Sequence, residues 1–183
     1  PEMREIRGKR IAMIFQQART ALNPFMRVGD QIGRIYRIHE KISNNEARDK
    51  TLDILKKIEM PEAQRRARDY PHQLSGGMSQ RVMIALMTAC TPELLIADEP
   101  TTGLDVTTQA QILDLMKEIR DRDGSSILLI THDLGIVAQT CDRLAVMHAG
   151  HIVETGSVSQ IFKNPKHPYT RGLLESIPHV EKK

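Results

Sequence analysis

Aromatic side chains are scarce in this chain of 183 residues: tryptophan is absent, and Phe, Trp and Tyr together make up 3% of the sequence. Proteins that bind single-stranded nucleic acids usually stack the bases on aromatic rings. The basic run RRAR at residues 65–68 has no aromatic residue among its charges. We therefore expect this run to be a solvated face and expect no nucleic-acid partner, with a nucleic-acid patch as the minor alternative.

Cysteines and long apolar runs are also few. Cys90 and Cys141 lie in apolar segments without CxxC spacing, so we expect buried, reduced thiols rather than a disulfide or a metal pair. No apolar run approaches the roughly 18 residues of a membrane-spanning helix, and we expect no signal peptide. The start at Pro1 suggests an internal cut in a longer sequence. The composition, 40% apolar and 27% charged with a net charge of +3, is typical of a globular domain and only weakly favours an anionic partner.

The segment 28–70 has helical periodicity. Apolar residues at Ile32, Ile35 and Ile38 predict a helix over residues 28–39. Ser43 and Glu46 have the spacing of a capping box, which predicts that a second helix begins there. Pro61 is expected to end that helix and to open a shorter one that runs to residue 68. We therefore predict a small helical insert with many surface charges.

Short apolar runs elsewhere alternate with helical patterns. The run at residues 10–16 is a β-type apolar run that ends in a polar residue, and the runs at 94–97 and 126–131 have the composition of buried strands. Their alternation with helices predicts an α/β fold with a largely parallel sheet. Residues 143–147 and 151–155 predict a hairpin at the edge of that sheet. The helix predicted at 78–90 is apolar on nearly every side, so we expect it to be buried. Asp105 is expected to cap a helix at 106–122, whose inner face is Ala110, Leu113 and Met116, with Ile112 and Ile119 adjoining. The remaining predictions are an irregular loop at 16–24 and short helices at 156–163 and 169–176.

Polar residues stand where these elements begin or end. Ser75, Gly76 and Gly77 precede a helix, so unpaired N–H groups and the helix dipole there favour a phosphate. Asp98 and Glu99 end a strand, at the edge where open α/β sheets bind ligands. Two carboxylates at such an edge are costly unless they bind a cation or act on a proton. Gln16 also ends a strand, but this position taken alone favours an amide that caps the loop over one that binds a ligand.

These motifs in this order resemble the nucleotide-binding subunit of ABC transporters, over nearly the whole chain. LSGGMSQR (74–81) is similar to the signature motif and LLIADEP (94–100) to Walker B. GLD (103–105) resembles the D-loop of the family, THD (131–133) its H-loop and IFQ (14–16) its Q-loop. ARTALNP (18–24), YPHQLSGGM (70–78), IADEPTTGLDVTTQAQIL (96–113) and NPKHPYTRGLLESIP (164–178) narrow the resemblance to the oligopeptide/dipeptide/nickel importer branch. That branch usually has an acidic residue and a proline where this chain has Gln-Ala-Arg at 17–19.

The resemblance implies a P-loop NTPase-like (ABC ATPase) fold: α/β, with a mostly parallel sheet and a helical signature subdomain. It also implies ATP and Mg²⁺ as cofactors. Asp98 would hold Mg²⁺, Glu99 would be the general base for the attacking water, and His132 would sense the γ-phosphate. Gln16 would contact the Mg²⁺ or the water, and its loop would signal to a membrane subunit.

A second set of residues is implied to serve the nucleotide of a partner. Ser75, Gly76 and Gly77, with Gln80 further along the signature, would contact a nucleotide held by the other subunit, and Asp105 would join the two sites. The implied partners are a second ABC ATPase subunit, identical or not, membrane permease subunits and, indirectly, a periplasmic solute-binding protein. The implied location is the cytoplasmic face of the bacterial inner membrane.

The same family implies four regions in this chain. They are a Q-loop strand and loop at 1–27, a helical signature subdomain at 28–90, a core at 91–156 carrying Walker B, the D-loop and the H-loop, and carboxy-terminal helices at 157–183.

The phosphate-binding loop of the family, GxxxxGK[ST], is missing from these 183 residues. The only Gly-Lys pair is Gly8-Lys9, and Met3 and Arg10 break the motif around it. In the family this loop lies before the Q-loop, and the strand that leads into it lies beside the H-loop strand. The resemblance therefore implies that the P-loop strand and helix are missing and that the strand at 126–131 lies beside an empty lane of the sheet. A chain of this kind is expected to bind ATP poorly by itself, to hydrolyse it negligibly and to be marginally folded.

Three functional hypotheses follow. The first is an ATPase subunit that drives import of peptides or similar solutes. The second is a non-hydrolysing partner that completes the ATP site of another subunit. The third, a soluble ABC ATPase of DNA repair or ribosome function, is disfavoured because no long heptad insert separates the Q-loop from the signature.

Overall fold

The computed structural model describes residues 2–176. The chain divides after Ile130 into two compact units, which are described separately. The elements of the first unit are α1 (Glu2–Ile6), β1 (Ile11–Ile14), α2 (Ala18–Ala21), α3 (Val28–His39), α4 (Asn44–Lys57), α5 (Ala63–Arg66), a 3-10 turn (Pro71–Gln73), α6 (Gly76–Thr88), β2 (Leu94–Asp98), α7 (Val106–Asp123) and β3 (Ser126–Ile130).

The sheet of the first unit is parallel, in the order β1-β2-β3, as the alternation of elements predicts. Ile14 pairs with Ala97, and Asp98 pairs with Ile130, so the carboxyl ends of all three strands reach one edge. Within the described residues β3 is an edge strand that pairs with β2 alone. The prediction of a buried third strand is wrong, because Leu128 and Ile130 on its uncovered face are 52% and 46% exposed.

Helix α6 forms the centre of the core. Four consecutive residues, Val82 to Ala85, are at most 1% exposed, which confirms that a helix apolar on nearly every side is buried. Its neighbours in the core include Ile14 of β1, Leu95 of β2 and Ile112 of α7. The helix begins at Gly76, two residues earlier than predicted, because Ser75 is its N-cap.

The helical insert is confirmed for α3 and α4. The Ser43 hydroxyl accepts a hydrogen bond from the Glu46 N–H at 3.3 Å, and the Glu46 carboxylate accepts from the Ser43 N–H at 2.9 Å, which is the predicted capping box. Helix α5 is shorter than predicted, since Glu62 directly before it has a left-handed φ of 51°.

Two local predictions need correction. The loop after β1 contains the short helix α2 instead of being wholly irregular. On α7 the buried stripe is Ile112, Leu115, Met116 and Ile119, while Ala110 is exposed. The buried positions follow i, i+3, i+4, i+7, so the predicted stripe lay partly on a neighbouring face of the helix.

The second unit contains α8 (Leu134–Thr140), β4 (Arg143–His148), β5 (His151–Ser157), α9 (Val158–Lys163) and α10 (Pro168–Glu175). Strands β4 and β5 form the predicted hairpin, and Ala149 and Gly150 have the positive φ values, 47° and 80°, that a tight hairpin turn requires. The hairpin was predicted at the edge of the parallel sheet. In the described residues β4 and β5 instead pair only with each other, as a separate two-stranded sheet.

Glu154 of β5 binds the residues that lead into α10. Its carboxylate accepts hydrogen bonds from the backbone N–H groups of Lys166 at 2.8 Å and His167 at 3.0 Å. The rings of His148 and Tyr169 stack with their centroids 4.1 Å apart. These contacts hold the start of α10; the last two residues of the importer-like stretch 164–178 lie outside the described residues.

Two expectations about composition can also be compared with the structure. Cys90 and Cys141 are free thiols, half-buried rather than buried. Among residues 2–176, none of the helices has the length and hydropathy needed to span a bilayer.

Candidate functional site

The carboxyl ends of β1 and β2 bring Gln16 and Glu99 into contact. Because the two strands are parallel neighbours, the residues that follow Ile14 and Ala97 leave the sheet side by side. The Gln16 Nε2 donates a hydrogen bond of 2.8 Å to the Glu99 Oε2. The residues that resemble the Q-loop and the catalytic end of Walker B therefore meet directly, which their separation of 83 positions in sequence does not reveal.

Further contacts hold the Glu99 side chain and backbone. The Thr102 hydroxyl donates to the same Glu99 Oε2 at 2.9 Å. Glu99 has a left-handed φ of 43°, a conformation that is costly for a residue with a side chain. Its N–H donates to the Ile130 carbonyl at 2.9 Å, and its own carbonyl accepts from the Thr102 N–H at 3.2 Å. Glu99 is thus a positioned carboxylate that can accept a proton or a hydrogen bond from a water molecule.

Asp98 faces an open depression of about 520 Å³ that Phe15, Gln16, Gln17 and Thr20 also line. Residues 2–176 contain no group of three or more His, Cys, Asp or Glu that could hold a metal ion by themselves. Mg²⁺ commonly takes only one or two protein carboxylates and completes its shell with water and phosphate oxygens. Asp98 together with the amide of Gln16 therefore fits a Mg²⁺ ion that keeps water and phosphate ligands. These two residues do not fit a metal ion that is held by protein ligands alone.

The signature motif lies at the exposed end of α6. The Ser75 hydroxyl caps this helix, accepting from the Met78 N–H at 3.3 Å, and Ser75 and Gly76 are exposed. Gly76 and Gly77 are the first residues of the helix, where backbone N–H groups have no partner within the helix. This end of α6 can therefore bind an anion through its hydroxyl, its amides and the helix dipole.

Gly77 packs directly against the start of α7. A Cβ at Gly77 would lie 2.7 Å from the Cγ2 of Thr108, a separation that atoms do not tolerate. The Thr108 N–H and hydroxyl in turn donate to the Asp105 carboxylate at 2.9 and 2.6 Å. The hydroxyl of Thr108, followed by its backbone N–H, lowers the pKa of Asp105 below its ordinary value. The signature and the D-loop thus form one packed corner with an ionised aspartate.

Two candidates lie apart from these clusters. Gln80 is one turn further along α6 and only 4% exposed, and its Nε2 has no hydrogen-bond partner in the described residues. His132 is exposed and belongs to the second unit, beside Asp133, which caps α8. Their nucleotide contacts stay predictions, as do the roles of the other site residues.

Two structural contacts were missed by the sequence reasoning. Thr102, three residues after Glu99, donates a hydrogen bond to the Glu99 carboxylate. In the sequence, the short distance between this threonine and the strand end was the only sign of the contact. Arg19, in the stretch that departs from the importer branch, donates to the carbonyl of Leu74 at 2.6 Å, immediately before the signature serine. That contact links the loop after Gln16 to the signature, and an isolated arginine in a loop gave no sign of it.

Comparison with known families agrees with these motifs. The sequence model of the ABC transporter family matches residues 1–102, and that of the oligopeptide/dipeptide transporter C-terminal region matches residues 153–183.

Individual relatives agree over nearly the whole chain. The probable peptide ABC transporter ATP-binding protein y4tR of Sinorhizobium fredii is 55% identical over 97% of this chain and 53% of its own length. The oligopeptide transport protein OppD and the dipeptide transport protein DppD of Bacillus subtilis, both ATP-binding, are each 54% identical over 98% of this chain, and over 50% and 54% of their own lengths. The chain therefore spans about half the length of the curated relatives it matches.

Solved structures show the same fold. The dimeric ATP-binding cassette MJ0796, in a post-hydrolysis state bound to ADP and Pi, superimposes with a TM-score of 0.75 at 31% identity, over 86% of this chain and 66% of that one. A second dimeric structure of MJ0796 gives 0.74 with the same identity and coverage. The chain belongs to the ABC transporter family, among the ATP-binding proteins of its oligopeptide/dipeptide branch.

Proposed function

We propose that this chain is the ATP-binding and ATP-hydrolysing subunit that energises import of peptides or related solutes through an ABC transporter. The observation that carries the proposal is the position of Glu99, held by Gln16 and Thr102 next to Asp98 at the end of a parallel strand. The relatives are named as peptide, oligopeptide and dipeptide transport proteins, and these names support the substrate class.

The chemistry can be assigned to the side chains of this edge. Glu99 accepts the proton of the attacking water as general base, and the hydrogen bond from Gln16 keeps its carboxylate oriented. Asp98 and the amide of Gln16 would hold Mg²⁺, which when bound supplies positive charge against the phosphate oxygens. His132 would contact the γ-phosphate and report its presence.

The second half of the proposal is a shared site. Ser75 and the amides of Gly76 and Gly77 contact the nucleotide of a second ABC ATPase subunit, identical to this one or not, with Gln80 behind them. Asp105 joins the two sites at the corner of α7. The dimeric state of the MJ0796 cassettes supports this arrangement.

We further propose that the assembly includes membrane permease subunits and a periplasmic solute-binding protein, at the cytoplasmic face of the bacterial inner membrane. The transport names of the relatives support this proposal. The match of residues 153–183 to a peptide-transporter region favours transport over DNA repair or ribosome function.

The test is ATP hydrolysis by the assembled transporter carrying Glu99→Gln. Loss of the general base is expected to lower kcat by about a hundredfold or more while ATP still binds. The matched control is Glu93→Gln, which removes a carboxylate just before β2 that pairs with Arg10, and its kcat is expected to equal that of the wild type. Unchanged hydrolysis in Glu99→Gln would refute the assignment, and a wild-type subunit that supports its partner without hydrolysing ATP would favour the non-hydrolysing alternative.

For residues 1–183 by themselves we propose weak ATP binding and negligible hydrolysis, because these residues contain no GxxxxGK[ST]. Titration of the chain with ATP, together with an assay for released phosphate, tests this. Micromolar affinity with measurable turnover would refute it.

A further inference from the structure

A groove lies over the helical insert, separate from the residues assigned to ATP. It has a volume of about 580 Å³ and is formed by α3, α4 and the region around α5. Its floor contains small or short side chains, including Gly33, Ala47 and Thr51, all of them buried. The volume falls within the range of about 300–1,000 Å³ that is usual for small-molecule sites.

Four arginines line this groove: Arg27, Arg37, Arg48 and Arg68. The lining includes a single carboxylate, Asp30. All four arginine side chains are exposed, and the groove is consequently strongly positive although the whole chain carries a net charge of only +3.

The partners of these arginines leave their charge uncompensated. Arg37 donates to the side-chain oxygen of Asn44 at 2.9 Å, and Arg27 lies over the ring of Tyr70 at 5.9 Å, so both are oriented by neutral groups. Among the described residues, neither Arg48 nor Arg68 forms an ion pair.

Arginines nearby behave differently. Arg65 and Arg66 belong to the same basic run as Arg68, and they pair with Glu62 and Asp69. Arg81 pairs with Glu59. Four like charges gathered in a concave site with one carboxylate among them repel one another, and the guanidinium fork matches phosphate oxygens in a bidentate geometry.

We propose that this groove binds a small anion that carries two or more phosphate groups. The lining contains no aromatic ring to stack a nucleobase, so the recognised chemistry is the phosphates themselves, from a soluble phosphate ester or from a lipid headgroup. The site does not depend on the residues proposed for ATP hydrolysis.

Calorimetric titration of the full chain with inorganic pyrophosphate, at low salt and at physiological salt, tests the proposal. Saturable binding that weakens with salt is expected. In the double variant Arg48→Gln/Arg68→Gln the affinity should fall about tenfold or more, since each lost charged hydrogen bond contributes on that order. The matched control Arg34→Gln/Arg65→Gln removes the same charge from the helical insert outside the groove, and its affinity should change less than about twofold.

Two further measurements separate this site from the nucleotide site and identify the source of the phosphate. Ser75→Ala should leave pyrophosphate binding unchanged, and Arg48→Gln/Arg68→Gln should leave ATP hydrolysis by the assembled transporter unchanged. Co-sedimentation with phosphatidylglycerol vesicles, with phosphatidylcholine vesicles as the uncharged reference, tests a lipid headgroup as the source of the phosphate. A headgroup is the source if Arg48→Gln/Arg68→Gln loses binding to the phosphatidylglycerol vesicles and the control variant keeps it. Equal losses in the groove and control variants, or no binding of either probe, would overturn the proposal.

Discussion

At the scale of single residues, Glu99 combines a strained backbone with a well-supported side chain. Its left-handed φ of 43° places the carboxylate off the end of β2, where Gln16 and Thr102 both donate to one oxygen. Backbone bonds to Ile130 and Thr102 offset part of the cost of that conformation. Catalytic groups depend on this kind of fixed orientation, because small displacements lower the rate steeply.

Thr102→Val tests whether the support from Thr102 matters for catalysis. Valine keeps the shape of threonine and removes the hydrogen bond to Glu99, so kcat of the assembled transporter should fall about threefold to tenfold with little change in KM. Thr102→Ser retains a hydroxyl and should keep most of the rate. Equal activity in the valine and serine variants would show that Thr102 does not position Glu99.

Gly77→Ala tests the packed corner between the signature and the D-loop. The new methyl group would meet the Cγ2 of Thr108 at 2.7 Å, so we expect a loss of about 1–3 kcal/mol in the free energy of unfolding, measured with urea. Gly76→Ala is the matched control, since its Cβ would meet Leu104 at an ordinary 3.4 Å.

A second variant separates this clash from other effects of alanine. Adding Thr108→Ser to Gly77→Ala removes the Cγ2 and keeps the hydroxyl that bonds Asp105. This double variant should recover most of the lost stability. If it is as unstable as Gly77→Ala, the contact with Thr108 is not the cause.

At the scale of elements, local chemistry could be predicted from the sequence better than packing. The capping box of Ser43 and Glu46, the cap of Asp105 and the burial of α6 each depend on residues close in sequence, and each is confirmed. The buried face of α7 and the exposure of β3 depend on which elements cover them. There the prediction for α7 was partly wrong, and the prediction of a buried β3 was wrong.

The candidate site shows the same division. The order of the motifs predicted which residues lie at strand ends and helix starts. The contact between Gln16 and Glu99 spans 83 positions, and the bond from Arg19 to Leu74 spans 55, so both require the pairing of strands and the packing of helices to be known first.

The start of α10 should respond to acid through Glu154. The backbone N–H of Lys166, followed by further bonds, lowers the pKa of Glu154 below its ordinary 4.5. A carboxylate with a lowered pKa stabilises the fold fully above its ordinary value and loses that contribution as the pH falls through the lowered one. The amide resonances of Lys166 and His167 in NMR spectra should therefore titrate with a midpoint below 4.5.

Glu154→Gln is the control for this titration. In this variant the amide resonances of Lys166 and His167 should show no step in that pH range, because the glutamine side chain carries no titrating proton. A midpoint at or above 4.5 in the wild type would contradict the role of Glu154 as an ionised acceptor.

At the scale of the whole molecule, the site residues divide into two sets with different requirements. Gln16, Asp98 and Glu99 form a cluster at the sheet edge, whereas Ser75 and Gly76 are exposed at the end of α6. Val106, next to Asp105, is 81% exposed although it is apolar. An exposed anion-binding helix end beside an exposed apolar side chain favours association with a second subunit, and this is the proposed dimer.

Ser75→Ala tests that association directly. The partner is a second ABC ATP-binding subunit that carries GxxxxGK[ST], and association in the presence of ATP is measured by sedimentation velocity. Loss of the serine contact to the partner's nucleotide should weaken ATP-dependent association about tenfold or more, as expected for a lost hydrogen bond to a charged group.

Ser75 also caps α6, and removal of its hydroxyl lowers the free energy of unfolding by about 1 kcal/mol. Ser43→Ala is therefore the matched control, because it removes an N-cap hydroxyl from α4, far along the sequence from the signature, at a similar cost. If both variants associate equally well with the ATP-loaded partner, Ser75 acts only as a helix cap and the shared site must use other residues.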